Sequence, residues 1–340
     1  MARGPDIAEV ARHARVSKST VSRVINGGYA SAEVRARVAK VIQKLGYTPW
    51  TTARNFSLGR AGCFGLVVFD TQSEWVTQIL GGIEEELTSR HISLLVGSLF
   101  LRGTFEASTV ASWIRERRVD GLIFVCPGRR ERALVEAARK MQFAVALIAP
   151  DELFKAGIVV RSDNIGVGRD IANHLYELGH RRIAYIGGTE DSLDSRHRCE
   201  GLELALAQYK LKLAYRTFMP RYHVDEGVAY AKKWLKLGRT RPTAVVLAND
   251  VMALGFMRTV QTHGLSVPGD VSVIGFDDIP ASGLCWPGLT TVRQEMRAMG
   301  AEACHAIMST LDHLKVERPH VEFPMKLMVR ESTGPVPDKR

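Results

Sequence analysis

The chain has 340 residues, 46% hydrophobic and 24% charged, with a formal net charge of +10. Its length exceeds one ordinary domain, and its apolar content excludes disorder as the dominant state. No segment approaches the roughly 18 apolar residues that span a bilayer, and the start MARGPDIAEV has no apolar run behind its charges, so a cytoplasmic protein with no membrane partner is expected.

The charge is concentrated at one end. Residues 1 to 60 hold eleven Lys and Arg against Asp6, Glu9 and Glu33, which leaves an excess of only two for the other 280. A compact basic excess marks a nucleic-acid contact, because neutralising phosphates releases condensed counterions, although a solvated basic face explains charge alone equally well. The local pattern decides between them. In PDIAEVARHARVSKSTVSRVIN, Pro5 suits a first helical position, Asp6 and Glu9 suit the positive end of a helix, and Ile7, Val10 and Ala11 share one face. After the tight connection Ala14-Arg15-Val16, Ser17 is an N-cap for a second helix whose Val21, Val24 and Ile25 turn inward. Gly27-Gly28 breaks the chain, and Val34, Val38, Val41, Ile42 and Leu45 give the buried side of a third helix that stops at Gly46. Two helices joined so closely make a helix-turn-helix.

In such a unit the second helix lies in the major groove with its N-terminal residues at the base edges. That places Lys18, Ser19 and Arg23 at the bases, where Lys and Arg donate to guanine O6 and N7. Thr20, Ser22, Asn26 and Ser31 suit phosphates, which set the register without specifying sequence. Ser17 reads better as a simple cap, and a cap and a turn residue are the competing roles of Ser31 and Asn26.

The head, with DIAEVARHARVSKSTVSRVINGG, SAEVRARV and LGYTP, resembles that of the lactose/galactose repressor family. RVDGLIF, HLYELGHRRIAYIGG, LANDVMALG, DVSVIGFDDIP, LTTVRQ and VRESTGP follow in the family order, so the resemblance runs from Asp6 to Thr333. By composition the stretch after Tyr47, TPWTTARNFSLGRAG, is a linker. The resemblance implies instead a hinge helix around Pro49 to Ser57 that orders on operator DNA and enters the minor groove from both subunits, with Ala53, Arg54 and Phe56 matching the motif. Phe56 stands where the family usually has Leu, and it can still act as an apolar wedge.

Beyond residue 62, CFGLVVF, ISLLV, GLIFVC, FAVALIA, RIAYIG, TAVVLA and VSVIGF are short apolar runs separated by amphipathic stretches of helical length. Such alternation means parallel sheets with covered faces, and the runs divide into two comparable sets. The expected fold class is α/β: an all-helical helix-turn-helix head (1-48), a hinge helix (49-61) and a two-lobed, periplasmic-binding-protein-like sensor with parallel sheets (62-333), followed by a tail (334-340). The resemblance implies crossings near Arg161, Leu289 and Val316, giving a first lobe of 62-161 and 290-317 and a second of 162-289 and 318-333.

Ligands of open α/β sheets bind beyond the carboxyl ends of strands, and between two lobes those ends face a common cleft. Asp163, Asn249 and Asp277 lie just after strands, in RSDN, LAND and GFDD, and their side chains can hold ligand hydroxyls. Capping of the following helices by Asp163, Asn249 or Asp250 is an equal alternative on the residues alone, and the resemblance favours binding. It also implies that Arg198 grips the effector and that Trp75 and Tyr222 stack on it; a surface ion pair and ordinary core packing are the plainer roles. At Ser73 to Val76 the chain reads SEWV where relatives often read NPFF. With Arg196, His197 and Arg198 together, a sugar acid or other anionic metabolite stands narrowly ahead of a neutral sugar or a nucleobase.

GxSxG, HExxH, GxxxxGK[ST] and GxGxxG are absent, the ten histidines are scattered, and the five cysteines include no CxxC pair. No enzyme, metal site, disulfide or cofactor is expected. The expected function is that of a transcriptional repressor controlled by a small effector, which binds palindromic operator DNA as a homodimer, with a tetramer left open. A solute-binding protein and an architectural DNA protein are the alternatives.

Overall fold

The computed structural model describes residues 5–25, 28–47, 60–71, 73–98, 100–101, 104–105, 107–152, 154, 157–313 and 319–336. The chain forms two compact units, Met1–Gly62 and Cys63–Arg340. In the first, α1 (Ile7–Ala14), α2 (Lys18–Ile25) and α3 (Ala32–Leu45) bury Val10, Ala11, Ala14, Val21 and Val38 at their common centre. Capping sets their ends. The Asp6 carboxylate accepts the Glu9 N–H at 2.9 Å while the Asp6 N–H donates to the Glu9 carboxylate at 3.3 Å, a reciprocal box that makes Asp6 the N-cap of α1. Pro5 therefore precedes the cap and does not occupy the first helical position, because the box is the stronger start. The Ser17 hydroxyl accepts the Thr20 N–H at 3.1 Å, and Ser31 caps α3 through the Val34 N–H at 3.4 Å. Gly46 ends α3 at φ 62, a left-handed conformation that a side chain would strain.

The second unit holds two six-stranded sheets. Its first half supplies β1 (Cys63–Val68), β2 (Ser93–Ser98), the short pair β3 (Phe100–Leu101) and β4 (Thr104–Phe105), β5 (Gly121–Val125), β6 (Ala144–Ile148) and β7 (Ile158–Ser162), with α4 (Glu74–Ser89), α5 (Ala107–Arg115) and α6 (Arg132–Lys140) between them. Its second half supplies β8 (Ile183–Gly187), β9 (Tyr215–Phe218), β10 (Ala244–Leu247), β11 (Ser272–Asp277), β12 (Thr290–Arg293), β13 (His320–Phe323) and β14 (Lys326–Met328), with α7 (Gly168–Glu177), α8 (Leu193–Gln208), α9 (Val224–Leu235), α10 (Asp250–Thr262), α11 (Pro280–Leu284) and α12 (Met296–Leu311). The sheet orders are β13-β7-β6-β5-β1-β2 and β14-β12-β11-β10-β8-β9. All neighbours are parallel except β12 and β14.

Continuous burial along β1, β5, β6, β8 and β10 is what helices on both faces require. In the first lobe Phe64, Leu66 and Ile123 pack with Ile79, Ile83 and Ile307; in the second, Val245 and Leu247 pack with Tyr230, Trp234 and Phe256. Each such fully buried side chain contributes about 2 kcal/mol of hydrophobic stabilisation.

Two crossings fall later than the sequence suggested. β12 pairs with β11 from Ile274↔Thr290 to Asp277↔Arg293, so residues 290–293 belong to the second lobe and the chain crosses at Gln294. β13 pairs with β7 from His320↔Val159 to Phe323↔Ser162, so residues 320–323 belong to the first lobe and the last crossing follows Phe323. A short β-branched run such as TTVR fits either sheet, and only its pairing assigns it.

Candidate functional site

On α2, Val21 is fully buried while Lys18, Ser19 and Arg23 are exposed. At 3.6 residues per turn, Ser19 and Arg23 point away from Val21, with Lys18 and Ser22 on one flank and Thr20 on the other. The Ser17 hydroxyl bonds to those of Ser19 at 2.7 Å and Thr20 at 2.8 Å, so the cap residue also orders the start of this outer face. Arg23 lies along Gly28, whose N–H donates to the Arg23 carbonyl at 2.8 Å. Tyr29, 90% exposed beside this turn, escaped the sequence reading; its signal is a large aromatic directly after a glycine break, where no core needs it. Asn26, Ala53, Arg54 and Phe56 lie outside the described residues.

In the sensor unit the carboxyl ends of the strands carry the polar groups. Four of the ten described non-glycine residues with positive φ lie there: Cys126 (φ 50) after β5, Ala149 (φ 47) after β6, and Asp277 (φ 110) and Asp278 (φ 54) at the end of β11. Strained backbone of this kind persists where surrounding contacts over-determine it. Here Asp277 accepts from Gln294 Nε2 at 2.6 Å, and Asp278 accepts from Arg293 Nε at 2.7 Å and from Arg330 at 2.5 Å. Gln294 in turn accepts the Ser162 hydroxyl at 2.8 Å, which ties the first and second crossings together.

Arg198 is the buried cation of the cleft, 6% exposed. Its Nε donates to Asn164 Oδ1 at 2.7 Å, one terminal nitrogen donates to the Ala248 carbonyl at 2.5 Å, and the guanidinium stands 4.5 Å from the Phe276 ring centre. It reaches Asn164 because α8 approaches the preceding turn closely: a Cβ on Gly201 would stand 2.3 Å from the Ile165 carbonyl oxygen. Burial works against its charge, but Asp277 and Asp194 outweigh burial and raise its pKa. Burial pushes Asp277 up to about 7, against the pull of Arg198 and Gln294.

The other expected cleft residues are placed as follows. Tyr222 follows β9 with its ring against Gly188, where an added Cβ would stand 2.1 Å from Cζ. Asn249 caps α10, its oxygen accepting the Met252 N–H at 2.9 Å and its nitrogen donating to the Tyr222 carbonyl at 3.1 Å. Both ends of that amide are thus engaged, and capping and placement of Tyr222 are one act. Asp163 accepts the Gly166 N–H at 2.7 Å, and its own N–H donates to the Phe323 carbonyl at 2.8 Å, so it braces the first crossing against the third. Trp75, in the first turn of α4, is half-buried against the first-lobe core. Asp194, which acts on Arg198, and Gln294, which holds Asp277, were missed by sequence reasoning. Gly188→Ala is expected to displace the Tyr222 ring; overpacking costs about 1–3 kcal/mol, so effector binding should weaken about tenfold in titration calorimetry while the fold is retained.

Among the described residues no group of three or more His, Cys, Asp or Glu could hold a metal ion, and no helix is long and apolar enough to cross a membrane.

Residues 6–49 match the family described as bacterial regulatory proteins, lacI family, and residues 172–333 match a periplasmic binding protein-like domain. An uncharacterized HTH-type transcriptional regulator in the aml 5' region of Streptomyces limosus is 33% identical over 343 residues, covering 97% of this chain and 95% of that protein. The chain belongs to the LacI family. It is a transcriptional regulator with a helix-turn-helix DNA-binding head and a two-lobed effector sensor. Among solved structures this LacI-family chain is similar to the lac repressor dimer bound to operator and the anti-inducer ONPF, with a TM-score of 0.83, 26% identity and coverage of 98% of this chain and 100% of that one. It is also similar to the transcriptional regulator CelR in complex with cellobiose, with a TM-score of 0.73, 28% identity and coverage of 96% and 99%.

Proposed function

We infer that this regulator is a cytoplasmic repressor, without enzymatic activity, which binds a palindromic operator as a homodimer and releases or tightens it when a small polyhydroxylated effector enters the cleft. The observation that carries this reading is Arg198, a buried guanidinium at the carboxyl ends of the second sheet with Asp277 beside it, which together can take vicinal hydroxyls. Tyr222 and Trp75 supply aromatic faces for the ring, Asn249 holds Tyr222, and Asp163 holds the crossing rather than the ligand. Likeness to a regulator in complex with cellobiose supports a sugar.

The anionic preference drawn from Arg196, His197 and Arg198 gives way. Arg196 is exposed and donates to the Glu190 carbonyl at 3.4 Å, while Asp194 and Asp277 already face Arg198. A neutral sugar fits this balance better than a sugar acid, whose carboxylate would meet those acids.

At the DNA, Lys18, Ser19 and Arg23 read bases and Thr20, Ser22 and Ser31 meet phosphates, with Ser31 also keeping its cap; Asn26 and the minor-groove residues Ala53, Arg54 and Phe56 complete the contact. Self-association fits a face of the second lobe where Leu284 is 86% and Trp286 is 84% exposed. Gln261 of α10 donates to the Trp286 carbonyl at 3.2 Å, which sets this exposed loop beside that helix.

The deciding experiment selects bound sequences from a random DNA pool with the purified protein, then repeats the selection with a pooled metabolite extract. A palindrome whose occupancy changes with extract is the expected result; no enrichment returns the chain to a solute-binding role. In the selected site, Arg23→Ala should relax discrimination at one position of each half-site by about 1–3 kcal/mol. Equal weakening of specific and nonspecific DNA would make Arg23 a phosphate contact only.

A further inference from the structure

The turns that lead into β5 and β6 lie side by side, because the two strands pair from Gly121↔Ala144 onward. The first, residues 115–120, holds Arg115, Arg117 and Arg118 against Glu116 and Asp120; the second, residues 139–143, holds Arg139 and Lys140 and no acid. These two turns carry an excess of 5 − 2 = 3 positive charges, more than the excess of two over all residues after 60. All five cations are exposed. Among the described residues none of the five is in an ion pair, whereas Arg90, at the same end of the sheet, is matched by Glu86 at 2.8 Å.

Cations at the carboxyl end of a helix complement its dipole, which accounts for Arg115 on α5 and for Arg139 and Lys140 on α6. Arg117 and Arg118 lie beyond α5. Arg117 holds a left-handed φ of 50, its N–H donating to the Ile114 carbonyl at 3.4 Å and the Arg118 N–H to the Trp113 carbonyl at 3.0 Å, a helix stop that ordinarily goes to glycine. The chain thus keeps a long, unpaired cation where a residue without a side chain would end the helix with less strain.

The same end of the sheet is where the sensor is tied to the head. β1 begins at Cys63 and is fastened to the first turn: the Asp120 N–H donates to the Cys63 carbonyl at 2.7 Å, and the Cys63 N–H donates to the Asp120 carboxylate at 3.4 Å. β1 and β5 also pair from their amino ends, Phe64↔Gly121. Between Tyr47 and Arg60 run the 12 residues 48–59, which span at most about 45 Å. DNA gripped by the head is therefore tethered to this end of the sensor.

We propose that the amino end of the first-lobe sheet is a second DNA contact, where Arg117, Arg118, Arg139 and Lys140 meet phosphates of the duplex that the head grips. Duplex DNA suits the patch because its charges repeat along a backbone and are matched by several exposed cations rather than by one enclosed pocket. Contacts of this kind add affinity without reading sequence. The contact rests on the operator binding of the proposed function and adds a hold outside the head.

The test measures the salt dependence of binding by the full chain, on the selected palindrome and on an unrelated duplex of equal length. Each phosphate neutralised contributes about 0.9 to the slope of log affinity against log salt. Arg117→Gln with Arg139→Gln removes four cations from a dimer and should flatten the slope by about 3 to 4 on both duplexes, so that a fourfold rise in salt costs this variant about a hundredfold less affinity than the parent. Lys236→Gln with Arg239→Gln makes the same change of charge at exposed positions before β10, an end of the second sheet that no linker ties to a head, and should keep the parent slope. Urea unfolding of the sensor reports whether each variant is folded, and Arg139→Gln alone, with about half the flattening, stands in if the pair is not. Equal flattening by both pairs would be an effect of net charge, and no flattening by either would return Arg117 and Arg139 to the helix ends; each result overturns the contact. If no palindrome is selected the operator reading fails, and the slope on the unrelated duplex still decides the contact.

Discussion

Arg198→Ala is expected to destabilise the Cys63–Arg340 unit by about 3 kcal/mol at pH 8 and by about 1.4 kcal/mol less at pH 5.5, because removing one member of a buried charge group strands its partners. Asp277 and Asp194 both act on the guanidinium, and Asp277 is 7% exposed. With Arg198 present, burial already pushes Asp277 up to about 7; without the cation it rises further. Below that range Asp277 holds a proton in the variant and no bare charge is buried. Above it the carboxylate is ionised and alone, so the stability difference between the two chains grows as pH rises through 7. Urea unfolding at the two pH values measures this directly through the midpoint at constant slope. An equal loss at both would mean that Arg198 acts through its bonds to Asn164 and Ala248 and its stacking on Phe276, rather than through charge. In the same variant operator binding without effector should persist, since Arg198 belongs to the sensor unit, and the response to effector should vanish. An effector that still binds Arg198→Ala with unaltered affinity removes Arg198 from the site.

What could be read in the sequence follows from what periodicity can carry. β1, β5, β6, β8, β10 and β11 are buried at every position, and their unbroken apolar runs stand out in any window. β9 (YRTF), β13 (HVEF) and β14 (KLM) lie at sheet edges with one face half-exposed, and such short mixed runs are silent until they are paired. The misplaced crossing at Val316 comes from that silence, whereas at Leu289 the run TTVR of β12 is buried but short enough to fit either sheet until it is paired. The site divides along the same line. Arg198 and Asp277 could be found because a strand end or a motif frames them. Asp194 could not, because it is a first-turn helix acid, which is where acids ordinarily serve the helix dipole. The burial of one of its carboxylate oxygens is a tertiary fact. Asn249 shows the remaining difficulty: capping and site roles, separate on paper, are joined in one amide that caps α10 and holds Tyr222.

Trp286→Glu is expected to dissociate the dimer and to lower affinity for the palindromic operator about a hundredfold or more, while leaving affinity for a single half-site unchanged. Two weak heads gain from linkage because the second binds as an intramolecular event, and about 10²–10⁴ in affinity is lost when the link is cut. Trp286 is 84% exposed and Leu284 86%, an arrangement that water disfavours unless a partner covers it. The loop that shows them is fixed: the Trp286 backbone is held by Gln261, and the Cys285 N–H donates to Ala281 at 3.1 Å. An exposed aromatic on a fixed loop is the type of residue that dominates binding energy when truncated, and a carboxylate there would be desolvated without a partner once covered. Because Trp286 makes so few contacts within its own chain, unfolding of the variant sensor should match that of the parent at equal pH. Sedimentation velocity at micromolar protein gives the oligomeric state, and titration of full and half operator gives the two affinities. A variant that stays dimeric with unaltered operator affinity would move the two-fold axis away from this face. The groove beside α4, lined by Leu80, Gly81, Glu84, Glu85 and Arg297, would then be the next place for the partner, since it offers charges of both signs to a self-complementary face.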